Sequence, residues 1–249
     1  MAALLSAERQ ERLLATLARD GAIRQEEAAA ELGVSVMTVR RDLADLEAAG
    51  RVRRVRGGAV APRLPQPFAE RRAERSAPKA VIARKAAALV PSSGAIAVDA
   101  SSTSHVLLSQ LPEVRELLVA TNSIENATAA RAVAGVRSVL IGGEMEERTG
   151  SFVGALAERA ASALAYARFF GSAAALDVRG SSEVTPEEAA MKAVFARAAA
   201  ETVLLIDSAK LDDRALAAAL ERDAVHLLVT ELDPGDHRLD AYRGLVDLL

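Results

Sequence analysis

From residue 79 onward the sequence alternates between two hydrophobic periods, and this alternation constrains the fold more than any other feature. Helical spacing marks residues 80–89, 104–111, 123–133, 154–165 and 186–200. Short apolar runs mark strands at 95–99, 117–120, 138–141, 169–174, 202–207 and 225–229. A strand joined to the next through a helix has room for a crossover, so the repeated unit predicts an α/β domain with a mostly parallel, doubly wound sheet. Ligands of such sheets sit outside the carboxyl ends of the strands. The residues that follow the strands are therefore the candidate site: Asp99-Ala-Ser-Ser-Thr103, Thr121-Asn-Ser123, Gly142-Gly143, Asp177 and Asp207-Ser-Ala-Lys210.

These residue types share a chemistry. Ser101, Ser102 and Thr103 place hydroxyls where a helix begins, and a helix start offers free N–H groups and positive potential to an anion. Thr121, Asn122 and Ser123 open the next helix in the same manner. Gly142 and Gly143 let the backbone approach a ligand closely. Lys210 suits a phosphate or a sugar hydroxyl, and Glu188 lies one helical turn from Lys192. Taken singly, each has a plainer explanation as a cap, a turn or a surface ion pair. Together at one sheet edge they point to a small, polar, phosphate-bearing ligand. The three histidines form no metal constellation: His105 lies beside the first loop, His226 in an apolar strand where a core position is expected, and His237 in a turn.

The first sixty residues have a different pattern. Ser6 is placed to cap a helix running to about Arg19, with Leu13, Leu14 and Leu17 inward, and a second helix spans roughly residues 25–32 from a poor cap, Arg24. Ser35 then caps a third helix in which Val39, Leu43 and Leu46 form the apolar stripe. Met37, Thr38 and Arg41 fall on the opposite face with Arg40 on its flank, a front suited to the DNA major groove. Residues 51–59 alternate valine and arginine before a Gly-Gly turn and predict a two-stranded wing carrying Arg53, Arg54 and Arg56 toward phosphates. Residues 35–63 hold seven arginines against Asp42, Asp45 and Glu47, in a chain whose net charge is −3. A basic patch joined to an acidic body is the footprint of a nucleic-acid-binding head.

The run Ser35…Thr38-Val-Arg-Arg-Asp-Leu43, Leu46…Gly50 and Arg54-Val-Arg-Gly-Gly-Ala59 resembles the winged helix of the deoxyribose-operon repressor (DeoR) family. Arg56 stands where the family often has histidine, and Arg24 where a better cap is common. The resemblance extends to Asp99…Thr103, Thr121-Asn-Ser123, Gly142-Gly143, Glu187-Glu-Ala…Lys192 and Asp207-Ser-Ala-Lys210, which look like motifs of the family's sensor domain. That likeness implies a ribose-5-phosphate-isomerase-like fold, a sugar-phosphate inducer, a dimer or tetramer, and operator double-stranded DNA as partner. Two stretches depart from the pattern: Ala100 replaces a glycine, and Ala173-Ala-Ala-Leu-Asp177 replaces a glycine-rich stretch.

The expected organisation is a winged helix-turn-helix at 1–61, a linker at 62–78 that contains four prolines, and a sensor and oligomerisation domain at 79–249. The absence of cysteine excludes disulfides and thiolate chemistry and fits a cytoplasmic protein. Met1-Ala-Ala-Leu-Leu5 lacks the basic start of a secretory signal, and no apolar run reaches the ~18 residues of a membrane span. No cofactor and no metal are expected. The favoured function is a ligand-responsive DNA-binding repressor rather than an enzyme. The alternatives are a sugar-phosphate isomerase with a DNA-binding head, using Glu188 or Asp177 as base, and a DNA binder whose sensor has lost its ligand.

Overall fold

The computed structural model describes residues 5–61 and 64–249 and divides into two compact units, Met1–Leu64 and Pro65–Leu249. Residues 1–4, which carry most of the stretch inspected for a signal, and Pro62 and Arg63, which open the expected linker, lie outside the described residues.

The first unit runs α1 (Ser6–Asp20), β1 (Ala22–Arg24), α2 (Gln25–Leu32), α3 (Val36–Ala48), β2 (Arg53–Val55) and β3 (Gly58–Val60). Val39, Leu43 and Leu46 are buried on α3 as their spacing predicts, packed with Leu13 and Leu17 of α1 and Ile23 of β1. Ser35 caps α3, its hydroxyl accepting the Thr38 N–H at 3.1 Å. Ser6 does not cap α1; it is the first helical residue, and its hydroxyl donates to Asp42. Asp42 is buried on α3 and takes a two-pronged bond from the Arg9 guanidinium at 2.8 and 3.0 Å, which ties α3 to α1. The wing is three-stranded rather than two-stranded, in order β1-β3-β2 and antiparallel. Its third strand passes so close to Gly58 that a Cβ there would lie 1.8 Å from the Ile23 carbonyl oxygen, so glycine is required.

In the second unit, α4 (Phe68–Ala73) and α5 (Ser76–Ala87) occupy most of the stretch expected to be a linker. Phe68, Ile82, Ala83 and Ala86 are buried there, so the sequence between the prolines belongs to this unit. Then follow β4 (Gly94–Val98), α6 (Ser102–Leu108), β5 (Leu117–Thr121), α7 (Ile124–Arg131), β6 (Val136–Leu140), β7 (Glu144–Met145), β8 (Phe152–Val153), α8 (Gly154–Ser162) and β9 (Tyr166–Gly171). The remainder is β10 (Ala175–Asp177), β11 (Gly180–Glu183), α9 (Pro186–Ala198), β12 (Ala199–Leu205), β13 (Ala217–Glu221), β14 (Leu227–Val229) and β15 (Asp247–Leu248).

The main sheet has the order β15-β14-β12-β9-β4-β5-β6, and every pairing in it is parallel. Side chains alternate across it, as the pleat demands. Ile96 and Val98 face a core with α5 and α6, and Ala97 faces a second core with α8 and α9. Phe170 and Phe169 divide between the same two faces, Phe169 stacking on Phe195 of α9 at 5.4 Å. Both faces are thus covered, and the double winding holds. The chain builds outward from β4 through β5 to β6, then returns to the other side of β4 with β9. The switch point, where an open α/β sheet forms its crevice, therefore lies at the carboxyl ends of β4 and β9. β10, β11 and β13 form a separate antiparallel sheet absent from the strand pattern.

Candidate functional site

In the first unit, the face of α3 opposite its apolar stripe carries Met37, 69% exposed, with Arg40 and Arg41 also exposed and Thr38 partly so. Arg40 and Arg41 form no ion pair among the described residues, so their donors remain available to an anion or a base edge. On the wing Arg56 is exposed at the turn and Arg53 is partly buried. Arg54 is held back toward α3, its guanidinium 3.1 Å from Glu47, whose carboxylate also accepts the Arg54 N–H.

In the second unit the switch point holds a buried charge cluster. Asp99, directly after β4, accepts the Ser172 N–H at 2.8 Å, the Ser104 hydroxyl at 2.7 Å and the Ser101 N–H at 3.1 Å, and is paired with Lys192. Lys192 reaches it from α9 and stands 3.4 Å from Glu183. Glu188, one turn earlier on α9, accepts bonds from Ser151 and Thr149. Burial alone would push the Asp99 carboxyl up; the Lys192 ammonium and the Ser101 and Ser104 donors outweigh it and hold Asp99 below the usual carboxylate range. Glu183 goes the other way: burial, helped by Glu188 and Asp99, raises it against the pull of Lys192. Burial disfavours the Lys192 ammonium, but the surrounding carboxylates raise its pKa above the ordinary lysine value.

Most hydroxyls at the helix starts are already engaged. Ser101 caps α6 and Ser123 caps α7. Ser102 donates to the Arg71 carbonyl at 3.0 Å, and Thr103 is buried in the first turn of α6. Thr121 accepts the Ser123 N–H, and the Asn122 amide donates to Phe152. The two glycines differ in role. Gly142 has open space where a Cβ would point, whereas at Gly143 that Cβ would meet Val153 and Ala157 within 2.7 Å, so Gly143 serves the packing of α8. Lys210 lies 3.3 Å from the Ser172 hydroxyl and 3.7 Å from Asp207, which joins both to the cluster. Asp177 is not brought there: Arg179 and Arg214 hold its carboxylate at 2.6 and 3.1 Å beside the antiparallel sheet. His226 is exposed rather than in the core, with Nδ1 accepting the Thr202 N–H, and His105 bonds Asn126. No group of three metal-ligating side chains occurs among the described residues.

The sequence profile described as DeoR-like helix-turn-helix domain matches residues 9–63, and that described as DeoR C terminal sensor domain matches residues 74–232. The chain belongs to the DeoR family. It is 32% identical over 237 residues to an uncharacterised HTH-type transcriptional regulator, YulB, of Bacillus subtilis, covering 93% of this chain and 92% of that protein. It is 31% identical over 210 residues to a lactose phosphotransferase system repressor of Lactococcus lactis, covering 82% of each. A putative aga operon transcriptional repressor of Escherichia coli O157:H7 is 24% identical over 232 residues, 91% of this chain and 86% of that one. Among solved structures, ribose 5-phosphate isomerase A from Neisseria gonorrhoeae matches with a TM-score of 0.37 and 17% identity, over 55% of this chain and 53% of that one.

Several groups of this DeoR-family sensor domain are not evident from its strand ends. Glu183 lies on a short polar strand, and Ser172 follows a strand that ends three residues earlier than its apolar run predicts. Thr149 and Ser151 reach Glu188 from the β7–β8 hairpin. Arg71 and Lys79 come from the stretch between the prolines. Arg71 donates to the Ala100 carbonyl at 3.1 Å and the Thr149 carbonyl at 3.2 Å, directly on the Asp99 loop. The proline-flanked charge run around it gave no sign of that contact.

Proposed function

We propose that this DeoR-family chain is a transcriptional repressor whose head binds operator DNA and whose sensor domain binds a phosphorylated sugar that lowers operator affinity. One observation carries the ligand half of the reading. Asn122 Oδ1 is a buried side-chain acceptor with no hydrogen-bond partner, and Glu183 Oε1 and Asp207 Oδ2 accept no hydrogen bond either, each meeting an ammonium instead, Lys192 at 3.4 Å and Lys210 at 3.7 Å. Buried polar atoms are nearly always satisfied, so Asn122 Oδ1 calls for an explanation, and the two carboxylate oxygens keep room for a donor. All three belong to segments at or beside the carboxyl edge of the main sheet, where a sugar's hydroxyls supply the missing O–H donors. Lys79 and Lys210 supply the positive charge that a phosphate requires.

The DNA half rests on the front formed by exposed Met37, Arg40 and Arg41 with half-buried Thr38, and on Arg53 and Arg56 of the wing, with Arg54 reaching phosphate once it leaves Glu47. The lactose and aga repressors among the relatives carry the sugar-operon context. A head of this size reads one half-site, so the working form is a dimer or tetramer on repeated half-sites, acting in the cytoplasm. Among the described residues no helix is long and apolar enough to cross a membrane. The test is calorimetry with pentose and hexose phosphates, combined with a gel-shift titration on an operator selected from random duplexes. A phosphate ester that binds and releases DNA supports the reading; no binding at millimolar concentration removes the sensor half. Product formation from such an ester would install an isomerase in its place.

A further inference from the structure

Helix α4 lies on the ligand edge of its own unit, and its contacts are of an unusual kind. The Arg71 carbonyl accepts two side-chain donors, the Ser102 hydroxyl at 3.0 Å and the Lys79 ammonium. Both donors are 4% exposed. Lys79 also donates to the Glu74 carbonyl at 2.5 Å, so its charge meets two backbone carbonyls and no carboxylate within bonding distance. Such an ammonium, buried against neutral acceptors and beside the Lys210 ammonium, is a poor end state; burial and Lys210 pull its pKa down to about 8. The Arg71 guanidinium fastens the helix further through the Ala100 and Thr149 carbonyls, and Phe68 packs edge-on against His105 at 5.2 Å.

We propose that Lys79 and Ser102 form an anion subsite which the Arg71 carbonyl fills in the free protein, so that a phosphate ester and helix α4 compete for the same donors. The inference rests on reading this domain as a phosphate-ester sensor and says how that sensor acts. A phosphate oxygen makes charge-assisted bonds to the ammonium and the hydroxyl, stronger than those to a carbonyl. Binding therefore exchanges the Arg71 carbonyl for phosphate oxygens and unseats α4. A hinge stands ready between α4 and α5. Arg75 is held at φ 49, ψ 42, a left-handed conformation that side chains with a Cβ rarely adopt. Its guanidinium is fixed 2.5 Å from Asp207 and 3.4 Å from Glu231, so the hinge stays anchored to the body when the contacts of α4 itself are broken. Leu64 ends the DNA-binding unit and Phe68 opens α4, so the chain leaving the head runs straight into the displaced element.

The chain has no native cysteine, which permits a single spin label at the exposed position of Ala69 through Ala69→Cys. The full chain is titrated with inorganic phosphate, ribose 5-phosphate and glucose 6-phosphate, with calorimetry in parallel. The proposal predicts that the bound probe mobilises the label. Arg71→Ala, which loosens the strap but leaves Lys79 and Ser102 in place, gives a mobile label without probe and binds it at least threefold more tightly. Lys79→Met lowers probe affinity at least tenfold. If the probe binds, the label stays rigid and Arg71→Ala weakens binding, the competition is overturned while the sensor reading stands. If neither wild type nor Arg71→Ala binds any probe, both fall.

Discussion

Lys192→Met tests the charge cluster at the switch point. The substitution keeps most of the side-chain volume and removes one ammonium from contact with Asp99 and Glu183. The side chains of Lys192 and Asp99 are 5% and 2% exposed, so water cannot replace the lost partner. Breaking a buried pair by removing one member costs ~3–5 kcal/mol, because the remaining charge is left uncompensated. Asp99 retains the Ser172 and Ser101 N–H groups and the Ser104 hydroxyl, which places the loss near the lower end, ~3 kcal/mol. With a urea slope of ~2 kcal/mol/M the unfolding midpoint drops by ~1.5 M. The readout is specific to this unit: the chain has no tryptophan, and both tyrosines, Tyr166 and Tyr242, lie in it. The loss also acquires a pH dependence. In wild type Asp99 titrates below its unfolded value, so its contribution is present above ~4 and fades as pH falls through the folded value. Without Lys192, burial raises Asp99 and raises Glu183 further. A folded acid with a raised pKa binds more protons than the unfolded chain, so stability then falls as pH rises. The variant is therefore least impaired near pH 5 and most impaired near pH 8, and adding Glu183→Gln recovers part of the loss. A Lys192→Met protein within ~0.5 kcal/mol of wild type at every pH would refute this account, since that is the scatter of an ordinary surface substitution.

Other consequences are as direct. Asp42→Ala removes the buried acceptor that ties α3 to α1 through Arg9 and Ser6, so the head is destabilised and amide exchange in α1 and α3 speeds up. Arg41→Ala weakens binding to a selected operator by ~1–3 kcal/mol when the guanidinium pairs with a base, whereas Arg56→Ala weakens operator and random duplex alike and lowers the salt slope by about one, measured by anisotropy across a salt series. Phosphate-ester affinity follows a bell in pH, rising through ~6 as the ester becomes a dianion and falling above about 8 as Lys79, facing Lys210, Asp207, Glu74 and Arg71, loses its proton; calorimetry between pH 5.5 and 9.5 that gives a flat profile counts against a role for Lys79.

Much of this architecture was legible because the main-sheet strands are short apolar runs that end in polar residues. Asp99, Thr121 and Asp207 stand where those runs stop, and the parallel register brings them to one edge. Val39, Leu43 and Leu46 were legible for a similar reason, since a three-helix core has no other stripe on α3 to bury. The missing pieces are those whose reasons lie far away in sequence. β1 is three residues long and exists because Gly58 lets it approach. Ser181, Ser182 and Glu183 carry no apolar pattern, yet they are buried because β10 and β13 flank them. Asp177 follows an apolar run like a site residue, but Arg214 claims it from another loop. Arg71 stands in the proline-flanked stretch expected to be a linker, and only the fold supplies the carbonyls it grips.

Operator binding by the full chain, measured as a phosphate ester is added, decides between a responsive repressor and a DNA binder without a ligand. Wild type is followed on its selected operator alongside Ser102→Val/Thr103→Val. A pentose or hexose phosphate is expected to lower wild-type affinity at least tenfold, ~1.4 kcal/mol of preference for the DNA-incompetent state. The unphosphorylated sugar leaves it nearly unchanged, and in the double variant the phosphate ester no longer changes operator affinity. Release of wild type by the free sugar as readily as by its phosphate, or an unaltered response in the double variant, would rule out a phosphate-ester sensor at the start of α6.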